Sequence, residues 1–366
     1  MDDHKLERLR ITFVAPPVAM SGGIRVIAIY AKMLAELGHR VVVVSPPAPP
    51  ISLKQKLKSL LKHQIWPVRK PSVSHLDGLG LDHRVLSIHR AVTNQDVPDA
   101  DIVIATWWET AEWVHALNAS KGEKIYFIQG HEVFEFVPKE RCRATYRLPL
   151  RKIVIAQWLA NLMRDEYDDA DVDVVSNSVD HQQFFALSRS KQARPTLGFL
   201  YHKTSLKGVD VVLVAVARLR KKYPELRVLC FGSHAPDDPA ELADFIEFKE
   251  SPAQDEIRDI YAQCDVWVTA SRTEGFNLPA MEAMACRTPV VATKTGWPEE
   301  AISNGVNGYL VEVDDVDGLV QSVSRILELN DMAWREMSEA AFLTVADSSW
   351  MNSCAQFEAV LRRACQ

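Results

Sequence analysis

Val266-Trp267-Val268-Thr269-Ala270-Ser271-Arg272-Thr273-Glu274-Gly275-Phe276-Asn277-Leu278-Pro279-Ala280-Met281-Glu282-Ala283-Met284-Ala285 is the stretch that decides the fold. A β-branched, apolar run predicts a strand ending near Ala270, and Pro279 stands where the first turn of a helix tolerates it. Between them lies a polar loop holding Glu274 and Gly275. Backbone N–H groups between Phe276 and Ala280, where Pro279 itself has none, are expected to be free, so the helix start is a ready anion site suited to a diphosphate. Gly275 removes the side chain that would block close approach. Glu282, one turn into the helix, suits a ribose. Glu274, which phosphate would repel, suits other hydroxyls.

The same strand, turn and helix recur along the chain, the signature of parallel strands joined by crossover helices. In the first half the predicted strands are Ile11–Ala15, Val41–Ser45, Val85–Ile88, Ile102–Thr106, Ile125–Gln129, Ile153–Ala156 and Val172–Ser176, with helices including Ile24–Leu37 and Trp158–Tyr167. After the polar linker Ser188–Pro195 the pattern restarts with strands Leu197–Tyr201, Val228–Gly232, Phe245–Phe248, Val266–Ala270, Val290–Thr293 and Tyr309–Val313. Helices are predicted between them at Val209–Lys222, Asp255–Gln263, Pro279–Ala285 and Val316–Leu327, and beyond them at Trp334–Val345 and Trp350–Arg363. The expected fold class is therefore α/β, with two doubly wound, Rossmann-like domains facing across a cleft where a small ligand binds. Residues 1–187 form the first domain and 188–345 the second, and 346–366 form a helix crossing back to the first.

Composition and missing motifs narrow the chemistry. The 366 residues are 47% hydrophobic and 25% charged, ample for two cores and unlike a disordered chain. Residues 1–180 carry 23 Lys+Arg against 22 Asp+Glu, and residues 181–366 carry 19 against 26, which disfavours nucleic acid. Six cysteines without C-x-x-C spacing read as buried thiols in a reducing compartment. No apolar run is long enough to span a membrane and Met1-Asp2-Asp3-His4 opens no signal core, so a cytoplasmic location is expected. The turn Pro16-Pro17-Val18-Ala19-Met20-Ser21-Gly22-Gly23 lacks G-x-G-x-x-G, which disfavours NAD. P-loop, G-x-S-x-G and H-E-x-x-H signals are missing too.

Glu274 and Glu282, seven residues apart within E-G-F-N-L-P-A-M-E-A-M-A-C-R-T-P-V-V-A-T, closely resemble the E-x7-E signature of retaining GT-B glycosyltransferases of the large family 4 type. Thr295-Gly296-Trp297-Pro298-Glu299 resembles that family's G-G-x-x-E loop, and Asn304-Gly305-Val306-Asn307-Gly308-Tyr309-Leu310-Val311 its G-x-x-G-x-L-V turn. Lys207-Gly208 is similar to its K-G, Asn177-Ser178-Val179-Asp180 to its N-G-V-D, and Gly22-Gly23 to the glycine loop after the first strand. The resemblance runs over nearly the whole chain and is strongest over residues 197–313.

What the resemblance implies is specific. Catalytic roles fall to Glu274 on the donor sugar hydroxyls, Lys207 on the departing diphosphate, and His131 beside the donor sugar and acceptor. Gly22, Gly23, His202, Lys203, Gly275, Phe276, Asn277, Leu278 and Glu282 bind the nucleotide sugar. Its base (UDP, GDP, ADP or dTDP) stays open, and neither a metal nor another cofactor is implied. The implied acceptor is a sugar or lipid-linked glycan, in the assembly of a surface polysaccharide or glycolipid. A nucleotide-sugar 2-epimerase of the same fold and a catalytically silent nucleotide-sugar-binding subunit are the alternatives.

His202 stands where the family has arginine, Asn277 and Arg287 where glycines are common, and Ser178 for the glycine of N-G-V-D. Gly22-Gly23 by itself reads equally as a helix-start turn. Trp107-Trp108 and Trp297 suit either packing or stacking on a sugar. In residues 51–70, Lys54, Lys56, Lys58, Lys62, Arg69 and Lys70 accompany Leu53, Leu57, Leu60, Leu61 and Ile65 at helical spacing. That helix suits an anionic membrane surface, which would make the protein peripheral on the inner face of the plasma membrane, and suits equally a solvated surface helix.

Overall fold

A computed structural model describes residues 8–50 and 73–366. The basic amphipathic segment 51–70 lies outside the described residues. Contacts divide the chain into two compact units. Of the described residues, the first takes 8–50, 73–155, 159–175 and 354–366; the second takes 156–158 and 176–353.

The first unit is built on a seven-stranded parallel sheet of β1 (Arg10–Val14), β2 (Arg40–Ser45), β3 (Asp82–Val85), β4 (Ile102–Ala105), β5 (Glu123–Ile128), β6 (Arg151–Val154) and β7 (Val172–Val174), ordered β3-β2-β1-β4-β5-β6-β7. Its central strands are apolar throughout because helices cover both faces of a parallel sheet: Ile102, Val103, Ile104 and Ala105 are all buried. The first helix, α1 (Gly22–Glu36), buries Ile24, Val26, Ile27, Tyr30 and Leu34 against that sheet's core. From the last helix, Trp350–Ala364, Phe357 stacks on Tyr30 at 4.5 Å and meets Phe127 edge-on at 5.1 Å, which is why 354–366 belongs to this unit.

The second unit carries β8 (Thr196–Leu200), β9 (Arg227–Gly232), β10 (Ile246–Glu250), β11 (Val266–Thr269), β12 (Val290–Thr293) and β13 (Gly308–Val311), a parallel sheet ordered β10-β9-β8-β11-β12-β13. In both sheets the order reverses beside the first strand, between β1 and β4 and between β8 and β11. Such switch points open a crevice at the carboxyl ends of the strands. Trp334 of the helix Asp331–Val345 is fully buried, and its Nε1 donates to Asp265 O at 2.9 Å.

The predicted strand count matches in both units; the inner strands β5 and β6 each begin two residues earlier than predicted, the helices Trp108–His115 and Lys139–Thr145 were not foreseen, and the largest strand shift falls on an edge. β3 lies at 82–85, three residues earlier than predicted, and consists of Asp82-His83-Arg84-Val85. An edge strand needs little apolar burial, so its sequence carries little signal. β7 ends at Val174 and β10 runs to Glu250 for the same reason. Cys142, Cys230, Cys264, Cys286 and Cys354 are buried free thiols as expected, whereas Cys365 is exposed because it follows the last helix. Among the described residues no helix is long and apolar enough to cross a membrane.

Candidate active site

At the carboxyl end of β11 in the second unit, Lys207 and Ser271 converge on one carboxylate oxygen. Lys207 Nζ and Ser271 Oγ each donate to Glu274 Oε1 at 2.7 Å. The Glu274 side chain is 9% exposed and that of Lys207 31%. Two glycines make this approach possible. Gly208 sits at φ +60°, and a Cβ there would lie 1.9 Å from Ala270 O, so only glycine lets the Lys207 turn rest on the end of β11. Gly296, at φ +69°, lies where a Cβ would meet Glu274 Cβ at 2.8 Å. Arg272 fastens the turn from outside: its N–H donates to Leu206 O at 2.8 Å, and its guanidinium reaches Ser205 O, Asp210 and Asp314.

The helix Leu278–Ala285 begins beside this cluster with Pro279 in its first turn and no side chain capping it. Its cap, Asn277, is left-handed at φ 82° and turns its side chain back to donate to Thr269 Oγ1 at 3.0 Å. Asparagine tolerates that conformation, so the departure from glycine leaves the turn intact. Arg287 likewise takes φ 60°. It is held by an ion pair with Glu339, a bond to Ala186 O at 3.0 Å and stacking over Phe342 at 4.1 Å. Glu282 is buried, and the Tyr261 hydroxyl donates to its Oε2 at 3.0 Å. Phe276 is buried and stacked with Trp297 at 5.5 Å, while Trp297 N–H donates to Phe276 O at 3.0 Å; Trp297 is thus a packing residue. Gly275 and Leu278 complete the loop and the first helical turn.

His202 lies within the electrostatic reach of Lys207 and Glu274. Burial lowers its pKa first and the charge of Lys207 lowers it further, with Glu274 opposing. Thr204 N–H donates to its Nδ1 at 3.0 Å, a bond only an unprotonated nitrogen accepts. The imidazole is therefore neutral near pH 7, and Lys207 carries the positive charge. Lys203 is committed to an ion pair with Asp237. The lowered value implies that the unfolded chain binds a proton here more tightly than the folded one. Stability is then lost as pH falls through the ordinary histidine range near 6.5. His202→Asn is expected to flatten that loss, measured as the difference in urea midpoint between pH 7.5 and pH 5.5. An unchanged difference would show that His202 contributes nothing.

In the first unit, Gly22 and Gly23 open α1 after the capping residue Ser21. A Cβ on Gly22 would meet no atom within 4 Å, and one on Gly23 would touch the Gln129 side chain at 3.6 Å. His131 follows β5, and its Nε2 pairs with Tyr167 Oη at 2.7 Å; burial lowers its pKa. The adjacent Glu132 is fully buried, accepts Trp108 N–H at 2.7 Å, and has its carboxyl pushed well above the usual range by desolvation. Trp108 is a core residue, whereas Trp107 stacks on Phe134. A cavity of about 580 Å³ lies at the opposite, amino ends of β5 and β6. Its cations are committed: Lys124 binds the carbonyls of His115 and Leu117, Lys152 pairs with Asp169, and Arg151 with Asp173.

Of the residues singled out in the sequence, Lys207 and Glu274 are in direct contact, and Glu282 lies in the same unit on the helix that starts beside them. Ser271, Tyr261 and Arg272 were missed, because each acts on a partner across a gap that no local pattern marks.

Residues 194–329 match the family model of the glycosyl transferases group 1. The D-inositol 3-phosphate glycosyltransferase of Mycobacterium marinum is 34% identical over 219 residues, covering 54% of this chain and 46% of that protein. Its counterpart in Mycolicibacterium smegmatis is 30% identical over 228 residues, or 57% and 50% of the two chains. The chain thus spans about half the length of the curated relatives it matches. Among solved structures, sucrose-phosphate synthase from Thermosynechococcus elongatus superposes with a TM-score of 0.73 at 16% identity, covering 97% of this chain and 99% of that one. Anabaena HepE in complex with UDP-glucose gives 0.70 at 16%, covering 97% and 100%. The chain has the GT-B fold of these structures.

Proposed function

We propose, on the premise that residues 194–329 belong to the group 1 glycosyl transferases, that this protein moves a sugar from a nucleotide diphosphate sugar to a hydroxyl acceptor with retention, in the assembly of a cell-surface polysaccharide or glycolipid. One observation carries the reading: a cation, a hydroxyl donor and a nearly buried carboxylate meet beside an uncapped helix start at a sheet's switch point. In this reading the Leu278 N–H, the helix dipole and Lys207 hold the diphosphate, since Pro279 has no N–H and Ala280 N–H donates to Asn277 O at 3.1 Å. Glu282 binds the ribose and Glu274 the donor sugar's hydroxyls. Gly22, Gly23 and His131 of the first unit serve the diphosphate, the donor sugar and the acceptor. The leaving phosphate takes the acceptor's proton, and Lys207 stabilises the charge left on the diphosphate.

The test is a thermal-shift series with UDP-, GDP-, ADP- and dTDP-sugars. UDP-glucose comes first because HepE was solved with it. The matching donor, at a hundred times its Kd, is expected to stabilise the folded chain by about 2.7 kcal/mol. Tyr261→Phe removes the hydroxyl that orients Glu282 and should weaken that donor by about fivefold, the worth of one hydrogen bond near 1 kcal/mol. Failure of all four donors to shift the melt would refute the reading.

A further inference from the structure

Beyond β4 and β5 of the first unit, three aromatic rings stand in a nearly parallel row. Trp107 stacks on Phe134 with centroids 6.3 Å apart and planes within 18°, and Phe134 stacks on Phe136 at 5.1 Å and 13°. The row is built rather than incidental. Buried Glu132 binds Trp108 N–H, tying the start of the helix Trp108–His115 to the loop after β5. That loop is closed by Phe134 N–H to Glu132 O at 3.0 Å and by Val137 N–H to Phe134 O at 3.3 Å. Tyr146 Oη accepts Glu132 N–H at 2.8 Å from behind. The turn presents Phe136 at 71% exposure, so the outermost ring of an ordered stack is left bare to solvent.

We infer that this row is a stacking platform for a pyranose ring of the acceptor, with Phe136 its specificity-determining residue. The inference rests on the glycosyl-transfer reading above. An aromatic face carries negative charge, and the axial C–H groups on one face of a pyranose are weakly positive, so the two stack while the hydroxyls point outward. The surroundings decide between a sugar and an acyl chain. Glu135, next to Phe136, is ion-paired with Lys139, and Glu140, on the helix that follows, lies 3.8 Å from Arg143. These four charged groups are costly to carry into a lipid phase, whereas they can exchange hydrogen bonds with sugar hydroxyls. The row also lies at the strands' carboxyl ends, on the same loop as His131.

Saturation-transfer NMR on the full chain with methyl α-D-glucopyranoside and methyl α-D-mannopyranoside tests this, with the thermal shift by UDP recorded on the same samples. At least one pyranoside is expected to show transfer to its axial-face protons. That transfer should fall threefold or more in Phe136→Ala and persist in Phe136→Trp, with the UDP shift equal in all three proteins. No transfer to either pyranoside, or equal transfer in Phe136→Ala, would overturn the inference. So would Phe136-dependent binding to phosphatidylcholine vesicles in place of the pyranosides, which would assign the row to an acyl chain. If Phe136-dependent transfer is found but no UDP, GDP, ADP or dTDP donor shifts the melt, the platform stands and the donor reading falls.

Discussion

Lys207→Ala is expected to lower kcat by about a hundred- to a thousandfold, the loss typical when one preorganised electrostatic group is taken from a developing negative charge. In the structure Lys207 Nζ is spent on Glu274 Oε1, and the space enclosed by Lys207, Thr269, Ser271, Glu274 and Asn277 is about 20 Å³. That holds about one water and no sugar ring. In the donor reading proposed above, the diphosphate is an anion that competes with Glu274 for Lys207. The lysine's charge then counts most when the leaving group carries its full charge, so the effect belongs in kcat more than in KM. Lys207→Arg should rescue only part, because a planar fork does not replace a compact ammonium at one oxygen. Stability should fall as well, because Glu274, 9% exposed, loses its cation and keeps Ser271 as a donor, so rates are compared well below each protein's melt. Single-turnover rates set against donor Kd make the check. A rate within threefold of wild type would remove Lys207 from the chemistry.

How far the sequence reaches is set by the range of each interaction. Buried strands such as Ile102–Ala105 and Val290–Thr293 announce themselves because both faces must be apolar, while the edge strand Asp82–Val85 does not. Glu274 and Glu282 are legible because a loop and one helical turn fix their spacing. The Lys207–Glu274 pairing spans 67 residues of chain and exists only because β8 and β11 are neighbours. The departures at Asn277 and Arg287 are harmless for a reason no motif shows: each left-handed residue has its own local anchor, Thr269 for one and Glu339 with Phe342 for the other. The row of Trp107, Phe134 and Phe136 was equally hidden, since two strand ends must meet before the rings can stack.

Gly208→Ala should injure both stability and turnover. The new methyl would sit 1.9 Å from Ala270 O and 2.8 Å from Ala270 C, in a residue held at φ +60°. A left-handed alanine costs about 1–2 kcal/mol, and overpacking against neighbouring atoms adds about 1–3 kcal/mol. The turn cannot relax freely, because Arg272 binds it through Leu206 O and Ser205 O and pairs with Asp210 one turn on. The sum, about 2–5 kcal/mol, corresponds to a fall in Tm of about 5–15 °C for a unit of this size. Whatever movement relieves the clash carries Lys207 with it, and a displacement near 1 Å at a reacting centre costs about a hundredfold in rate. Calorimetry beside donor turnover makes the check, with Gly22→Ala as the stability control, since its methyl meets nothing within 4 Å. A Gly208→Ala protein that melts within 1 °C of wild type would mean that the Lys207 turn does not rest on the end of β11, and the pairing with Glu274 would have to be abandoned with it.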